Sequence, residues 1–294
     1  MKNVLGLDLG YGYTKSFFAL NGFSEDISKY DIFPTAVTTY IPKSTFTANK
    51  LKVTVNGDTY MIGENALREG VGLINTRRTD FVGSGAYLAV MAYAFSRTIK
   101  DPELLVLGLP PGQFSKEYVT SLKEQINSAE ISTSDGSNIR LPEIIKIIPQ
   151  GAGIFFSHIQ DGNEADFSRK VAIIDIGFYT LDTLFFVKGK YVENSAKSHP
   201  LGVSRIHELV RKEFQLKYKN PLKDRDTIER FLRDSKVNLI GNDYELDTKK
   251  IMRSYNDEVA ALISNYIEEL PSEADLLIAG GGGAQFLKDM PIKY

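Results

Sequence analysis

The stretch Leu7-Asp8-Leu9-Gly10 recurs as Ile174-Asp175-Ile176-Gly177, without a gap. Each copy ends an apolar run that is typical of a buried β-strand, and each precedes a second such run. An aspartate and a glycine turn therefore follow a strand twice in this chain. Two similar domains explain the repeat most simply, and chance recurrence of a short pattern is the alternative.

The composition indicates a globular protein of about two domains. The chain has 294 residues, of which 43% are hydrophobic and 24% are charged. Its 35 Lys and Arg against 37 Asp and Glu leave a net charge of −2, which disfavours nucleic-acid binding by bulk electrostatics. The absence of cysteine excludes disulfides, thiol nucleophiles and cysteine-ligated metals. The three histidines, His158, His199 and His207, lack metal-ligand spacing.

The apolar segments do not indicate export or membrane insertion. The run from Met1 to Gly10 contains Asp8, which does not fit a signal peptide. The longest apolar stretch, 86–95, is far shorter than the roughly 20 residues that cross a bilayer. We therefore expect a soluble cytoplasmic protein with no membrane partner.

Predicted strands and helices alternate along the chain, which is typical of a layered α/β fold. Asn56-Gly57 predicts a type I′ hairpin turn. The predicted domains are 1–153 and 154–294. The predicted strands are 3–9, 14–20, 51–55, 59–62, 103–109, 143–148, 171–176, 181–187, 191–196 and 274–279. The predicted helices are 84–99, with Ser84 at its start, 115–126, with Ser115 as N-cap, 151–159, 205–217, 227–235 and 254–270.

The segment Asp8–Lys15 has the residue types that a polyphosphate site needs. Its two glycines allow backbone N–H groups to approach phosphate oxygens closely. Lys15 adds a mobile cation, and Asp8 can hold Mg²⁺ through water because Mg²⁺ keeps much of its hydration. The alternative interpretation is an ordinary hairpin with a surface lysine.

Two other phosphate motifs are excluded by spacing. Walker A needs Ser or Thr after Gly-Lys, but Gly189-Lys190 is followed by Tyr191. The G-x-G-x-x-G pattern that begins at Gly10 and Gly12 is incomplete, because Lys15 occupies the position of its third glycine. The first turn also joins a strand to a strand, whereas Rossmann and P-loop sites join a strand to a helix.

Five segments in chain order resemble the superfamily of ATPases that unites actin, heat-shock chaperones and sugar kinases. The segments are the first phosphate motif, Asp8–Lys15, the connecting motif, Ile148–Gly153, the second phosphate motif, Asp175–Asp182, the opening of the second-domain helix, Pro200–Val203, and the adenosine motif, Gly280–Ala284. Within that superfamily the chain is most similar to prokaryotic actin-like proteins of the ParM/StbA type and their archaeal relatives. The resemblance implies an α/β fold of two similar actin-like (ribonuclease H-like) domains with a nucleotide cleft between them.

The resemblance also implies an activity and partners. It implies Mg²⁺-dependent hydrolysis of ATP or GTP coupled to filament assembly, in plasmid or DNA segregation or another bacterial or archaeal cytoskeletal role. The implied partners are further copies of the chain and an adaptor protein bound to plasmid DNA, without direct nucleic-acid binding. Three alternatives on the same fold are a small-molecule kinase with Asp80 or Asp101 as base, a chaperone-type ATPase, and a nucleotide-dependent interaction module without hydrolysis.

Catalytic roles carry over from the family by position. Asp8 and Asp175 would organise Mg²⁺ and water, Lys15 would contact the phosphates, and Gln150 would orient the attacking water. Gln150 could instead be a C-cap or turn side chain, and Asp182 is expected to be structural. The implied nucleotide-binding residues are Gly10, Tyr11, Gly12, Tyr13, Thr14, Lys15, Gly177, Phe178, Tyr179, Thr180, Gly202, Gly281, Gly282, Gly283 and Ala284.

Three features depart from the family pattern. Tyr11 stands where actins carry a serine that touches the terminal phosphate, so any such contact here comes from the backbone. Phe178 and Tyr179 replace small or polar residues and are expected to narrow the cleft. The C-terminal helix with which relatives return to the first domain is expected to be missing after Leu287.

Overall fold

The computed structural model describes residues 3–20, 28–41, 51–69, 71–78, 80–98 and 102–287. The chain forms two compact units, Met1–Gln150 and Gly151–Tyr294. The domain boundary predicted after residue 153 falls in the first turn of the helix that opens the second unit. In the ranges given above, every helix is too short or too polar to cross a membrane.

The first unit contains strands β1 to β9 and helices α1 to α3. The strands are β1 Val4–Leu9, β2 Tyr13–Ala19, β3 Ser28–Pro34, β4 Val37–Thr39, β5 Val53–Val55, β6 Asp58–Ile62, β7 Leu104–Leu109, β8 Ile131–Thr133 and β9 Ile144–Pro149. The helices are α1 Glu64–Glu69, α2 Gly85–Ser96 and α3 Lys116–Ser128.

Two sheets and a buried helix form the core of the first unit. One sheet has the order β3-β2-β1-β7-β9, in which β1, β7 and β9 are parallel and the β1–β2 and β2–β3 pairs are antiparallel. The other has the order β4-β6-β5-β8 and is antiparallel. Helix α2 contacts strands of both sheets, so its residues 86–95 are buried on all sides. This burial explains why its sequence is apolar without a helical stripe.

The second unit contains strands β10 to β16 and helices α4 to α7. The strands are β10 Lys170–Ile176, β11 Leu181–Val187, β12 Lys190–Tyr191, β13 Lys197–His199, β14 Lys236–Leu239, β15 Asn242–Glu245 and β16 Leu276–Gly280. The helices are α4 Ala152–Gln160, α5 Val203–Tyr218, α6 Arg225–Asp234 and α7 Thr248–Glu268.

The main sheet of the second unit has the order β12-β11-β10-β16, and β13 also pairs with β11. Strands β10 and β16 are parallel, whereas β10 and β11 are antiparallel. Helix α4 packs against β10 and β16, and its Phe155 stacks on Phe186 of β11 with ring centroids 4.8 Å apart. Helices α5 and α7 contact each other and enclose a second core that includes Ile174 and Ile176.

The two sheets repeat one arrangement around their central strands. Asp8 of β1 lies opposite Lys15 of the antiparallel β2 and opposite Gly108 of the parallel β7. Asp175 of β10 has the same two kinds of neighbour, Asp182 on β11 and Gly280 on β16. This shared topology supports the interpretation of the repeat as two similar domains.

Local sequence signals predicted several elements correctly. The N-cap predicted at Ser115 is confirmed, because Ser115 accepts from the N–H of Tyr118 at 3.2 Å at the start of α3. Ser84 caps α2 in the same way, accepting from the N–H of Tyr87 at 3.2 Å. Asn56 and Gly57 have φ of 50° and 92°, as a type I′ turn requires.

Two predicted elements are wrong in extent, and some were not predicted. The strand expected at 191–196 is absent as a unit, because β12 ends at Tyr191 and β13 begins at Lys197. Helix α7 starts well before residue 254, because the Asp247 side chain caps it by accepting from the N–H of Lys250. Residue 99, where a helix was expected to end, lies outside the described residues. Strands such as β3 were not predicted, because the pairing of β3 with β2 is a tertiary contact.

Candidate functional site

A polar cluster stands where β1 ends in the first unit. Lys15 Nζ lies 3.3 Å from Asp8 Oδ2, and both side chains are about half-exposed. Gln150 Nε2 donates to Asp8 Oδ1 at 2.9 Å. The structure therefore brings together Asp8, Lys15 and Gln150, three of the four predicted catalytic residues. Each oxygen of the Asp8 carboxylate has its own donor.

Gln150 reaches Asp8 because Gly108 lies between them without a side chain. The Gln150 N–H donates to Leu109 O at 2.8 Å, which fixes the backbone just after β9. A Cβ at position 108 would lie 3.0 Å from Gln150 Cγ and 3.9 Å from Asp8 Cα. The backbone of Gln150 is thus bonded to Leu109 at the end of β7, and its side chain passes Gly108 of β7 to reach Asp8 on β1. Gly108 was not predicted as a site residue from the sequence.

The first loop, residues 10–12, joins β1 to β2, and two threonines bind its carbonyls. Thr35 Oγ1 donates to the carbonyl of Gly10 at 2.7 Å. Thr76 Oγ1 donates to the carbonyl of Tyr11 at 2.9 Å. Neither threonine was predicted from the sequence, since both lie far from the loop in the chain and threonine by itself does not indicate a site.

The second loop, residues 177–180, is a closed turn between β10 and β11. The Gly177 N–H donates to Thr180 O at 2.9 Å. The Thr180 hydroxyl donates to Asp182 Oδ2 at 2.9 Å, and Asp182 is buried. Two groups expected to bind phosphate, the Gly177 N–H and the Thr180 hydroxyl, therefore have partners within the protein. These contacts support the structural role expected for Asp182.

The start of α5 holds the second loop through its backbone. A Cβ on Gly202 would lie 2.6 Å from three backbone atoms of that loop, so only glycine fits there without displacing it. Three consecutive N–H groups donate to three loop carbonyls, Gly202 to Tyr179 at 3.2 Å, Val203 to Gly177 at 3.1 Å and Ser204 to Phe178 at 2.6 Å. Because these N–H groups are bonded to the loop, Gly202 positions the loop and its N–H points to Tyr179.

The glycines of the adenosine motif pack beside Asp175. Gly281 has φ of +84°, and a Cβ there would lie 2.3 Å from Asp175 Oδ1. The Gly283 N–H donates to Ile176 O at 2.8 Å. A Cβ on Gly282 would meet open space, and Ala284 closes the turn by donating to Gly281 O at 3.2 Å. The motif thus lies directly against the strand end that carries the second aspartate.

Phe178 contacts helices α5 and α6. The guanidinium of Arg225 lies over its ring, 4.3 Å from the centroid, a cation–π geometry. His207 packs edge-on against the same ring with centroids 5.4 Å apart. Burial lowers the pKa of His207, although Glu229 opposes that shift with Oε1 at 2.9 Å from Nε2. Arg225 is a cation near the second loop that the sequence analysis missed.

The described residues contain no cluster of three or more metal-ligating side chains. Asp8 and Asp175 each provide one carboxylate at a strand end. Mg²⁺ is commonly bound through one or two carboxylates, retained waters and substrate phosphates. Either carboxylate, within its own unit, fits a hydrated Mg²⁺ that a polyphosphate accompanies.

Neither candidate base of the kinase alternative gains support. Asp80 is exposed and forms a two-point ion pair with Arg78, whose Nε lies 2.9 Å from Asp80 Oδ1. The Arg78 hydrogen bonds hold the pKa of Asp80 below its usual value, which is unfavourable for a base. Asp101 lies outside the described residues.

Comparisons with known proteins identify the family. Residues 6–153 match the family described as "Actin like proteins N terminal domain". Residues 173–290 match the family described as "Archaeal actin homologue MreB-like, C-terminal". This chain belongs to the actin-like proteins. No curated protein sequence matches the chain significantly.

Solved structures share the fold over nearly the whole chain. An archaeal actin homologue, Ta0583, is similar with a TM-score of 0.76 at 20% identity, over 98% of this chain and 90% of that one. A ParM from a 15-stranded filament of Clostridium botulinum gives 0.70 at 22% identity, over 97% and 90%. MreB 5 of Spiroplasma citri, bound to AMPPNP, gives 0.63 at 15%, over 96% and 85%. The predicted two-domain actin-like fold is confirmed.

Proposed function

We propose that this chain is a Mg²⁺-dependent nucleoside triphosphatase that hydrolyses ATP or GTP and assembles into filaments. The observation that carries the proposal is the cluster of Asp8, Lys15 and Gln150 at the end of β1. A carboxylate, a cation and an amide converge there beside a glycine turn. The second unit repeats the aspartate and the glycine turn at the end of β10.

Each unit contributes one loop to phosphate binding in this proposal. Backbone N–H groups of the first and second loops, with Lys15, bind the phosphate oxygens. Asp8 and Asp175 hold the hydrated Mg²⁺ that neutralises phosphate charge when it is bound. The glycine motif at 280–284 lies along the adenosine.

Gln150 positions the attacking water in this proposal. Its amide nitrogen donates to Asp8, so its amide oxygen is the group that accepts a hydrogen bond from water. Hydrolysis of nucleotides depends chiefly on such placement and on charge stabilisation. A fixed amide therefore contributes mainly in the transition state.

The similar structures support nucleotide binding and assembly. Ta0583 has been solved with ADP, MreB 5 of Spiroplasma citri with AMPPNP, and the Clostridium botulinum ParM as a filament. For this chain we propose copies of itself as the filament partner, in the cytoplasm. An adaptor protein bound to plasmid DNA would link the filament to DNA segregation.

The test combines high-speed sedimentation with turnover. The chain is incubated with Mg²⁺ and ATP, GTP, ADP or no nucleotide, and pelleted protein and released phosphate are measured. Asp175→Ala should lower hydrolysis at least about tenfold, because one charge-organising group is removed. Asp257→Ala, an exposed position on α7, is the matched control and should keep the parent rate.

Two results would contradict the proposal. If Asp175→Ala hydrolyses ATP and GTP as fast as the parent, the second phosphate motif is wrongly assigned. If the pelleted fraction is the same with and without triphosphate, the coupling to assembly is wrong.

A further inference from the structure

Three consecutive carbonyls of the first loop accept hydrogen bonds from Thr35 or Thr76. Thr35 Oγ1 donates to Gly10 O at 2.7 Å, and the Thr35 N–H donates to Gly12 O at 3.0 Å. Thr76 Oγ1 donates to Tyr11 O, between them, at 2.9 Å. Thr35 and Thr76 are buried, with exposures of 4% and 8%. These bonds fix the orientation of three successive peptide planes.

The orientation of the carbonyls determines where the N–H groups point. In a trans peptide, the carbonyl of one residue and the N–H of the next lie in the same plane and point in opposite directions. The N–H groups of Tyr11, Gly12 and Tyr13 consequently each point away from the threonine that binds the preceding carbonyl. A row of successive N–H groups on one side of a turn forms an anion-binding concavity.

The second loop has the same design with different anchors. Its three successive carbonyls, at 177–179, accept from the first N–H groups of α5. Both loops thus have three successive carbonyls that accept hydrogen bonds. The donors are two threonines in the first unit and the start of α5 in the second. Because the two sets of donors differ, this recurrence independently indicates that the orientation of the loop carbonyls is functionally important.

We infer that Thr35 and Thr76 are positioning residues for phosphate binding by the first loop. The inference rests on the proposed nucleotide function and extends it to two side chains behind the site. Their hydroxyls orient the loop by holding the carbonyls of Gly10 and Tyr11. Loss of a hydroxyl lets the peptide plane that it holds rotate, so the loop must be reordered each time a polyphosphate binds.

The two threonines differ in how cleanly they can be tested. The Thr35 hydroxyl has one proton, which goes to Gly10, so the Thr14 hydroxyl at 2.9 Å donates to Thr35 Oγ1. Thr35→Val would therefore also leave the fully buried Thr14 hydroxyl without its acceptor and destabilise the unit. Thr76→Val removes one side-chain hydrogen bond of known direction and is the primary variant.

The experiment measures the dissociation constant of ATP with Mg²⁺ by calorimetry and the thermal midpoint of each full-length variant. Thr76→Val should weaken ATP binding roughly three- to tenfold, the scale of one hydrogen bond. Thr76→Ser keeps the hydroxyl and should restore the parent affinity. Thr54→Val is the matched control, since it removes a Thr54–Thr59 hydroxyl contact of 2.9 Å elsewhere in the first unit and should leave affinity unchanged.

The outcomes separate this inference from the proposed function. Unchanged ATP affinity in Thr76→Val would overturn the inference alone, as would a Thr76→Ser variant as weak as Thr76→Val. An equal loss in Thr54→Val would also overturn it, because general destabilisation would then explain the effect. If Thr76→Val does not fold, the pair Thr35→Ser and Thr35→Val repeats the test, with restored affinity expected for serine only. A parent chain that binds no ATP would overturn the proposed function itself.

Discussion

Replacing Gly202 by alanine tests whether α5 and the second loop need direct backbone contact. Gly202 has φ of −74° and ψ of −173°, a conformation that alanine adopts without strain. The effect of the substitution is therefore steric. The added Cβ would lie 2.6 Å from Phe178 O, Tyr179 C and Thr180 N, all of them backbone atoms.

The expected cost follows from these distances. Carbon atoms pack at about 3.5–4.0 Å, so the loop and the helix start must separate by on the order of one ångström. Overpacking of this kind costs about 1–3 kcal/mol of unfolding free energy. The separation also stretches the hydrogen bonds from Gly202 to Tyr179 and from Val203 to Gly177. We expect ATP affinity to fall as well, because the displaced segment is the second phosphate loop.

Urea unfolding followed by far-UV circular dichroism measures the change, with Gly153→Ala as control. A Cβ on Gly153, within α4, would meet no atom within 4 Å. Alanine there should instead stabilise the second unit by about 0.5–1 kcal/mol, since it removes glycine's conformational freedom from a helix. If Gly202→Ala is as stable as the parent chain, the reasoning from the close backbone contact is refuted.

Two further predictions concern the candidate site and the core of the second unit. Gln150→Ala should keep ATP affinity while the single-turnover hydrolysis rate falls about tenfold or more, because a water-positioning group acts mainly in the transition state; equal losses in calorimetric affinity and rate would indicate a structural role. Tyr255→Phe should lower the unfolding free energy by about 0.5–1.5 kcal/mol, since it removes the phenol hydrogen bond to Leu201 O at 2.9 Å. Burial raises the pKa of Tyr255 from 10.0 to about 12, so its stabilising contribution is full below pH 10 and is lost as the pH rises towards 12. Urea titrations at about pH 8 and pH 11 should therefore show a smaller alkaline loss in Tyr255→Phe than in the parent; an identical loss would contradict this.

Features that depend on neighbouring residues were predictable from the sequence. The serine caps of α2 and α3 bond to N–H groups three residues away. The Asn56-Gly57 turn needs only two residues that accept positive φ. The strand expected at 191–196 failed because the two-residue strand β12 pairs with β11 rather than continuing to residue 196. The early start of α7 follows from a local signal, the Asp247 cap, that the prediction did not use.

The sequence by itself determined the two Asp-Gly turns, the alternation of strands and helices, and the resemblance to actin-like proteins. These follow from side-chain type, glycine conformation and order along the chain, which are local properties. Only the tertiary structure decided what holds the first loop and its aspartate. Thr35 bonds to a carbonyl 25 residues away, Thr76 to one 65 residues away, and Gln150 to a carboxylate 142 residues away. Such contacts depend on which strands become neighbours when the sheet forms, because only then do distant segments meet, and no local pattern specifies that meeting.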